Sequence, residues 1–289
     1  MHIKKQPIII IDGNLYLYRS YFTFQYFNYN QENPYGAIYG MLKTIKNILM
    51  KYYYSKKIII IFDSSKKTFR SKIFTEYKKN RPSMPNSLYI QIKPLFKILE
   101  EIGIQTLSIP GIEADDLIGS FAHKVEQSGE NVLIVSHDKD MIQLLTKNIH
   151  IFNITKNETI TPKKIKEKYG IDPKEFIDLL ALMGDVSDNI PGVPKIGIKT
   201  ALFLLQKFSN IENIYNNLEK IKDLSLRNSK IVVKQLKIYK DTAFLSYQLA
   251  KIKLDIPIYI NSKDIILKTM SFKKLSNLIK IYNIKQKKI

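Results

Sequence analysis

The chain has 289 residues and 45 % apolar content, enough to fill the core of one large α/β domain and a smaller lobe. It holds no cysteine, which excludes disulfides, a Cys-bound zinc and a thiol nucleophile. No stretch of about 18 apolar residues occurs and Met1 to Pro7 lack the apolar core of a secretory leader, so the expectation is a cytoplasmic protein without membrane contact. A formal net charge of +20 points to a polyanionic partner, because Lys and Arg gain affinity by releasing counterions from phosphates. A bland reading stands beside it: Lys, Ile, Asn and Tyr all have A/T-rich codons, so a biased genome also yields many lysines.

In chain order, Ile8 to Asp12 is an apolar run ending in an acid, the pattern of a buried strand, and Ile58 to Asp63 repeats it. Further strands are expected at Ile104 to Ile109, Val132 to Ser136 and Ile149 to Asn153, with helices over Tyr35 to Tyr52, Asn86 to Ile102 (interrupted by Pro94) and Glu113 to Glu126. This alternation predicts an α/β fold with a mostly parallel central sheet flanked by helices. From about Asp172 only helical patterns follow, at Lys174 to Met183, Lys199 to Phe208 and Ser229 to Thr242. The expected division is therefore an α/β core over 1–171 and a helical lobe over 172–289, packed together without a flexible linker.

Ligands of open parallel sheets collect beyond the carboxyl ends of the strands, where Asp12 and Asp63 fall. Glu113, Asp115 and Asp116 open the helix after the third strand, Asp138 and Asp140 follow the fourth, and Asp185 and Asp188 share one face of a turn in the helical lobe. Singly, each acid is explained as a cap, a charge favourable at a helix N-terminus, or a turn residue. Five segments delivering acids to one edge are not, because like charges in one cleft repel unless cations neutralise them. Carboxylates with few histidines suit Mg²⁺ or Mn²⁺, and two such ions roughly 4 Å apart can activate water and stabilise a leaving oxygen.

Asp12-Gly-Asn-Leu-Tyr-Leu-Tyr-Arg19, Thr68-Phe-Arg70, Tyr77-Lys-Lys-Asn-Arg-Pro82, Gly111-Ile-Glu-Ala-Asp-Asp-Leu117, Asp138-Lys-Asp140 and Leu180-Ala-Leu-Met-Gly-Asp-Val-Ser-Asp-Asn-Ile-Pro-Gly-Val193 occur in order. Through them the chain, from about Gln6 to Tyr282, resembles the 5′-nuclease domain of bacterial DNA polymerase I, within the flap endonuclease family. The resemblance implies a PIN/resolvase-like core and a 5′-3′ exonuclease or flap endonuclease that leaves a 5′-phosphate. It implies one metal cluster of Asp12, Asp63, Glu113 and Asp115, with Asp116, Asp138, Asp140, Asp185 and Asp188 in or beside a second. The basic segment of about 66–86 is similar to the family's arch for a 5′ single strand. There Lys78 and Arg81 match phosphate-contacting residues, Tyr77 would stack on a base, and Arg19 and Arg70 would help at the phosphate.

Ile190 to Ala201 resembles the helix-hairpin-helix element, over about 185–208, that grips duplex DNA. Gly192, Val193, Lys195, Gly197, Lys199 and Thr200 would form its phosphate cradle, with a monovalent cation such as K⁺ bound there. Lys195 departs from the family's usual glycine, and strain is expected if that position needs positive φ. His137 also departs from a usual glycine and is read as a cap or solvent-facing residue. Implied partners are DNA with 5′ ends, flaps or nicks, and a separate DNA polymerase acting in replication and repair, with the chain itself a monomer. Two alternatives stay open: a structure-specific ribonuclease acting on RNA–DNA hybrids, and a catalytically silent DNA-end binder.

Overall fold

The computed structural model describes residues 6–25, 34–55, 57–64, 66–226, 228–260 and 272–287. Residues 1–5, read above for a leader, lie outside them. The chain forms two compact units, Met1–Lys66 with Ser83–Ser136 and Leu254–Ile289, and Lys67–Pro82 with His137–Lys253. The expected boundary at 171/172 is a division of the sequence and falls inside the second of these units. The basic segment and the stretch from His137 group with the later helices, while the C-terminal stretch returns to the first unit. Hydrogen bonds explain the return: Ser120 Oγ accepts from the Ile256 N–H at 3.1 Å, and Lys124 Nζ donates to the Ile258 carbonyl at 2.7 Å.

In the first unit, strands β1 (Ile8–Asp12), β2 (Ile58–Ile61), β3 (Gln105–Leu107) and β4 (Val132–Val135) lie in the order β3-β2-β1-β4, all parallel. Every residue of β1, β2 and β4 is buried, as isoleucine- and valine-rich strands covered on both faces require. Helices α1 (Gly13–Thr23) and α2 (Gly36–Lys51) join β1 to β2. Between β2 and β3 come α3 (Phe69–Ile73), which belongs to the second unit, and α4 (Asn86–Glu101), which runs through Pro94 without ending. Helix α5 (Ala114–Gln127) returns across the sheet from β3 to β4. Because β2 and β3 step away from β1 on one side and β4 pairs on the other, the direction of winding reverses beside β1. The carboxyl ends of β1 and β4 are therefore where sheets of this winding take their ligands.

The second unit contains an antiparallel pair, β5 (Ile149–Asn153) and β6 (Glu158–Ile160), and helix α6 (Pro162–Tyr169), which starts at a proline and stops at left-handed Gly170. Helix α7 (Phe176–Met183) is almost wholly buried and packs against α8 (Ile198–Phe208) and α12 (Lys240–Ala250). Short helices α9 (Ile211–Asn216) and α10 (Leu218–Lys222) precede α11 (Ser229–Ile238). The helix expected over Ser229 to Thr242 is two, because Tyr239 (φ −106°, ψ 30°) closes α11 and opens α12. A final helix, α13 (Phe272–Lys287), packs on α2 in the first unit. Among the described residues no helix is long and apolar enough to cross a membrane.

Candidate active site

Acids of the first unit stand at two kinds of place: Asp12 and Asp63 at the carboxyl ends of β1 and β2, and Glu113, Asp115 and Asp116 at the start of α5. Asp12 ends β1 and caps α1, accepting from the Leu15 N–H at 3.1 Å and from Ser136 Oγ, just past β4, at 3.1 Å. Asp63 follows β2; its carboxylate accepts from the Ala114 N–H at 2.7 Å, and its own N–H donates to Asn14 Oδ1 at 2.9 Å. The starts of α1 and α5 are thereby tied to one residue. Glu113, Asp115 and Asp116 occupy the cap and first turn of α5, where the helix dipole favours negative charge; Glu113 and Asp116 are buried. Arg19 lies exposed on α1.

The second unit holds the other four acids. Asp138 caps the 3₁₀ turn Lys139–Leu144 by accepting from the Asp140 N–H at 2.9 Å. The connection between α7 and α8 folds into a narrow hairpin in which Asp185 and Ile190 exchange both backbone bonds, at 2.9 and 2.8 Å. Two glycines permit it. Gly184 (φ 74°) and Gly192 (φ 63°) pass so close that a Cβ on Gly192 would lie 2.3 Å from the Gly184 nitrogen. Asp185 and Asp188 project from this hairpin and are buried. Asp185 accepts from the Ser187 N–H and hydroxyl, both at 2.8 Å, and lies 3.1 Å from Lys139 Nζ. Burial alone would raise its carboxyl; these partners outweigh it and hold it below the usual carboxylate range.

Asp188 is clasped by the basic segment. Lys78 Nζ stands 3.6 Å from Oδ2, Tyr77 Oη donates to Oδ2 at 3.2 Å, and Arg81 pairs with Oδ1. Asp140 has the opposite environment. It is 8 % exposed, and its Oδ1 meets no hydrogen-bond donor among the described residues. Burial, then the charges of Asp138, Asp188 and Asp185, push its carboxyl up to about 8 against the pull of Lys139. No three acids or histidines among the described residues form a ready cage for an ion, since most carboxylates face protein donors. The donor set nevertheless fits hard divalent cations: it is all oxygen, it lies at strand ends and a tight turn, and one buried carboxylate oxygen lacks any partner.

Several site residues stand otherwise than the sequence suggested. Tyr77 is 8 % exposed and carries Lys78 Nζ 5.0 Å from its ring centre, so it braces Asp188 and is not placed to stack on a base. Arg70, 2 % exposed, donates to the carbonyls of Leu249 and Lys251, both at 2.8 Å; that is a structural brace, and a phosphate would have to displace it. In the hairpin, the Gly192 N–H donates to Ser246 Oγ at 3.0 Å and the Val193 N–H to the Leu182 carbonyl at 2.8 Å, so neither lines a phosphate cradle. Lys195, Gly197 and Lys199 are exposed, with Thr200 half-buried beside them. Lys195 does take φ 68°, while Gly197 caps α8 with ordinary φ −91°. His137 is exposed. Asn14, Ser136, Asn80 and Asn189 were missed as site residues, although Asn14, Asn80 and Asn189 stand inside the motifs quoted above.

A parallel sheet with acids along its carboxyl edge, and helices carrying an acidic hairpin and exposed lysines, define a phosphodiester-cutting class of protein. Comparison makes this specific. Residues 7–170 match the N-terminal resolvase-like domain of 5′-3′ exonucleases, and residues 171–273 match their C-terminal SAM fold. The chain is 75 % identical over 282 residues to a 5′-3′ exonuclease of Buchnera aphidicola subsp. Schizaphis graminum, covering 98 % of each. It is 39 % identical over 255 residues to DNA polymerase I of Pseudomonas aeruginosa, covering 88 % of this chain and 28 % of the polymerase. Among solved structures, T5 5′-exonuclease with bound divalent metal ions (zinc) superposes with a TM-score of 0.68 at 25 % identity, covering 96 % of this chain and 98 % of the other. The chain belongs to the 5′-3′ exonuclease family.

Proposed function

We propose that this member of the family is a Mg²⁺- or Mn²⁺-dependent nuclease that hydrolyses DNA phosphodiesters at 5′ ends, flaps and nicks with two ions. The observation that carries the reading is Asp140, a buried carboxylate with an unpartnered oxygen among three further acids, an arrangement that a cation completes. Asp12, Asp63, Glu113 and Asp115 would hold one ion, and Asp138, Asp140, Asp185 and Asp188 the other. When bound, such ions supply a nucleophilic water at neutral pH and offset charge on the phosphate.

The chain's own residues do the rest. Lys78 and Arg81, poised on Asp188, are the cations nearest that carboxylate and can meet the charge growing on the phosphoryl oxygens. Lys195 and Lys199, exposed before and on the first turn of α8, hold duplex phosphates without reading sequence. K⁺ at this hairpin is part of the proposal. So is a cytoplasmic monomer working beside a separate polymerase in primer removal and repair, which the polymerase I relative supports.

The test is cleavage of 5′-flap and nicked duplexes labelled at either end, with Mg²⁺ or chelator, and with an RNA-containing hybrid in parallel. Short 5′-terminal products that need the metal bear the reading out. Binding without product identifies an end binder, and cleavage of the hybrid alone identifies a ribonuclease. Asp140→Asn should abolish product and weaken Mn²⁺ binding measured by calorimetry without DNA.

A further inference from the structure

Residues 76–81 and 185–189 lie against each other in the second unit, and their bonds form a reciprocal pattern. At its centre the Lys78 N–H donates to the Asp188 carbonyl at 2.9 Å. To one side, Asn189 Nδ2 donates to the Glu76 carbonyl at 2.6 Å. To the other, Asn80 Nδ2 donates to the Val186 carbonyl at 2.6 Å. Each segment lends one side-chain amide to the other's backbone, bracketing the bond at Lys78. Arg81 Nε adds a longer contact to the Ser187 carbonyl, at 3.4 Å.

Lys78 and Asn189 both adopt the left-handed region, each with φ 54°. Asparagine tolerates it; lysine is strained there and stays only because its surroundings hold it. The strained backbone belongs to the residue whose ammonium stands 3.6 Å from Asp188. A lysine has four rotatable side-chain bonds, so a charge placed from a loose loop would be spread over a large volume. Fixing the backbone on both sides narrows that volume before substrate arrives.

We propose that Asn80 and Asn189 are positioning residues, a reciprocal amide latch that fastens Lys78 to the Asp185–Ile190 turn so that its ammonium reaches the scissile phosphate from a preset place. The inference rests on the nuclease reading above and adds to it which groups set the geometry of its principal cation. It also places the base of the basic segment and the acidic turn in one mechanical piece, so that a displacement of either is transmitted to Lys78.

Two variants of the full chain isolate the latch. Asn80→Ala removes one amide, and Asn189→Gly removes the other while keeping a residue at ease with positive φ. Hydrogen exchange at the Lys78 amide, measured without DNA, reports the latch independently of catalysis. Single-turnover cleavage of a flap duplex at saturating Mg²⁺, with flap affinity measured in Ca²⁺, reports its purpose, each variant being made alone and combined with Lys78→Ala. The expected result is faster exchange at Lys78 and about tenfold slower cleavage, the factor carried by an ordinary hydrogen bond. Affinity should stay within about twofold, with no further loss of rate once Lys78 is alanine.

Unchanged exchange overturns the latch. The same tenfold loss persisting in the Lys78→Ala background, or a fall in affinity in place of rate, overturns its action through Lys78. A Lys78→Ala chain as fast as its parent refutes instead the role given to Lys78 in the nuclease reading, and with it the purpose of the latch. The exchange result then still shows whether the latch exists.

Discussion

Asp178 is a buried carboxylate on α7, far in sequence from the helix it caps: it accepts from the Ile211 N–H at 2.9 Å, an orphan donor at the start of α9. Burial raises its carboxyl from the ordinary 3.8 to about 6, helped by Glu175 and Glu212 and opposed by the Ile211 bond. The folded state therefore holds this proton more tightly than the unfolded chain. Stability from this group is full below about pH 3.8, falls as pH rises through about 6, and stays low above it. At 1.36 kcal/mol per pKa unit the cost at neutral pH is at most about 3 kcal/mol.

Asp178→Asn keeps the acceptor for Ile211 and removes the charge, and a cavity of about 400 Å³ bordered by Asp178, Asn210, Tyr247 and Gln248 leaves room for the amide. Urea titration of both proteins should show the variant more stable by up to about 3 kcal/mol at pH 7.5, and by about half of that at pH 5. A variant less stable than its parent at pH 7.5, or equally stabilised at both pH values, would refute the reasoning.

Gly192→Ala puts a Cβ 2.3 Å from backbone at a φ of +63°, so urea unfolding should show at least about 3 kcal/mol lost, whereas Gly197→Ala, with nothing within 4 Å, should stay within about 0.5 kcal/mol. Arg70→Met strips the donor from two carbonyls and should cost about 3 kcal/mol by the same measurement, while calorimetry finds Mn²⁺ affinity unchanged. Lys195→Gly relieves a left-handed lysine and should gain about 1 kcal/mol in stability. Its duplex affinity should show a salt dependence shallower by about one in log–log slope.

Much of the strand pattern was legible because the strands are short, mostly apolar runs, with an acid at the end of β1 and soon after β2: β1, β5 and the start of β2 fall where the pattern puts them. Helix α1 was not, since its Tyr-rich stretch lacks a clear apolar stripe and follows its strand without a turn. The break at Tyr239 was hidden because apolar periodicity runs through it. Acids were the easiest site residues to find, as motifs place them at strand and helix junctions. Their partners were harder, since Asn14, Asn80 and Asn189 look like ordinary polar residues until a distant segment reaches them.

Read alone, the order of residues determined the parallel α/β core, the family resemblance and the nine acids, because strand patterning, capping and short motifs are local properties of the chain. Only the tertiary structure decided which neighbours those residues meet. It buried Tyr77 and Arg70, spent the Gly192 and Val193 N–H groups inside the hairpin, and left Asp140 with an oxygen unsatisfied. These outcomes depend on pairs of segments often more than a hundred residues apart, and burial and hydrogen bonding at such separations are set by packing, which no local pattern records.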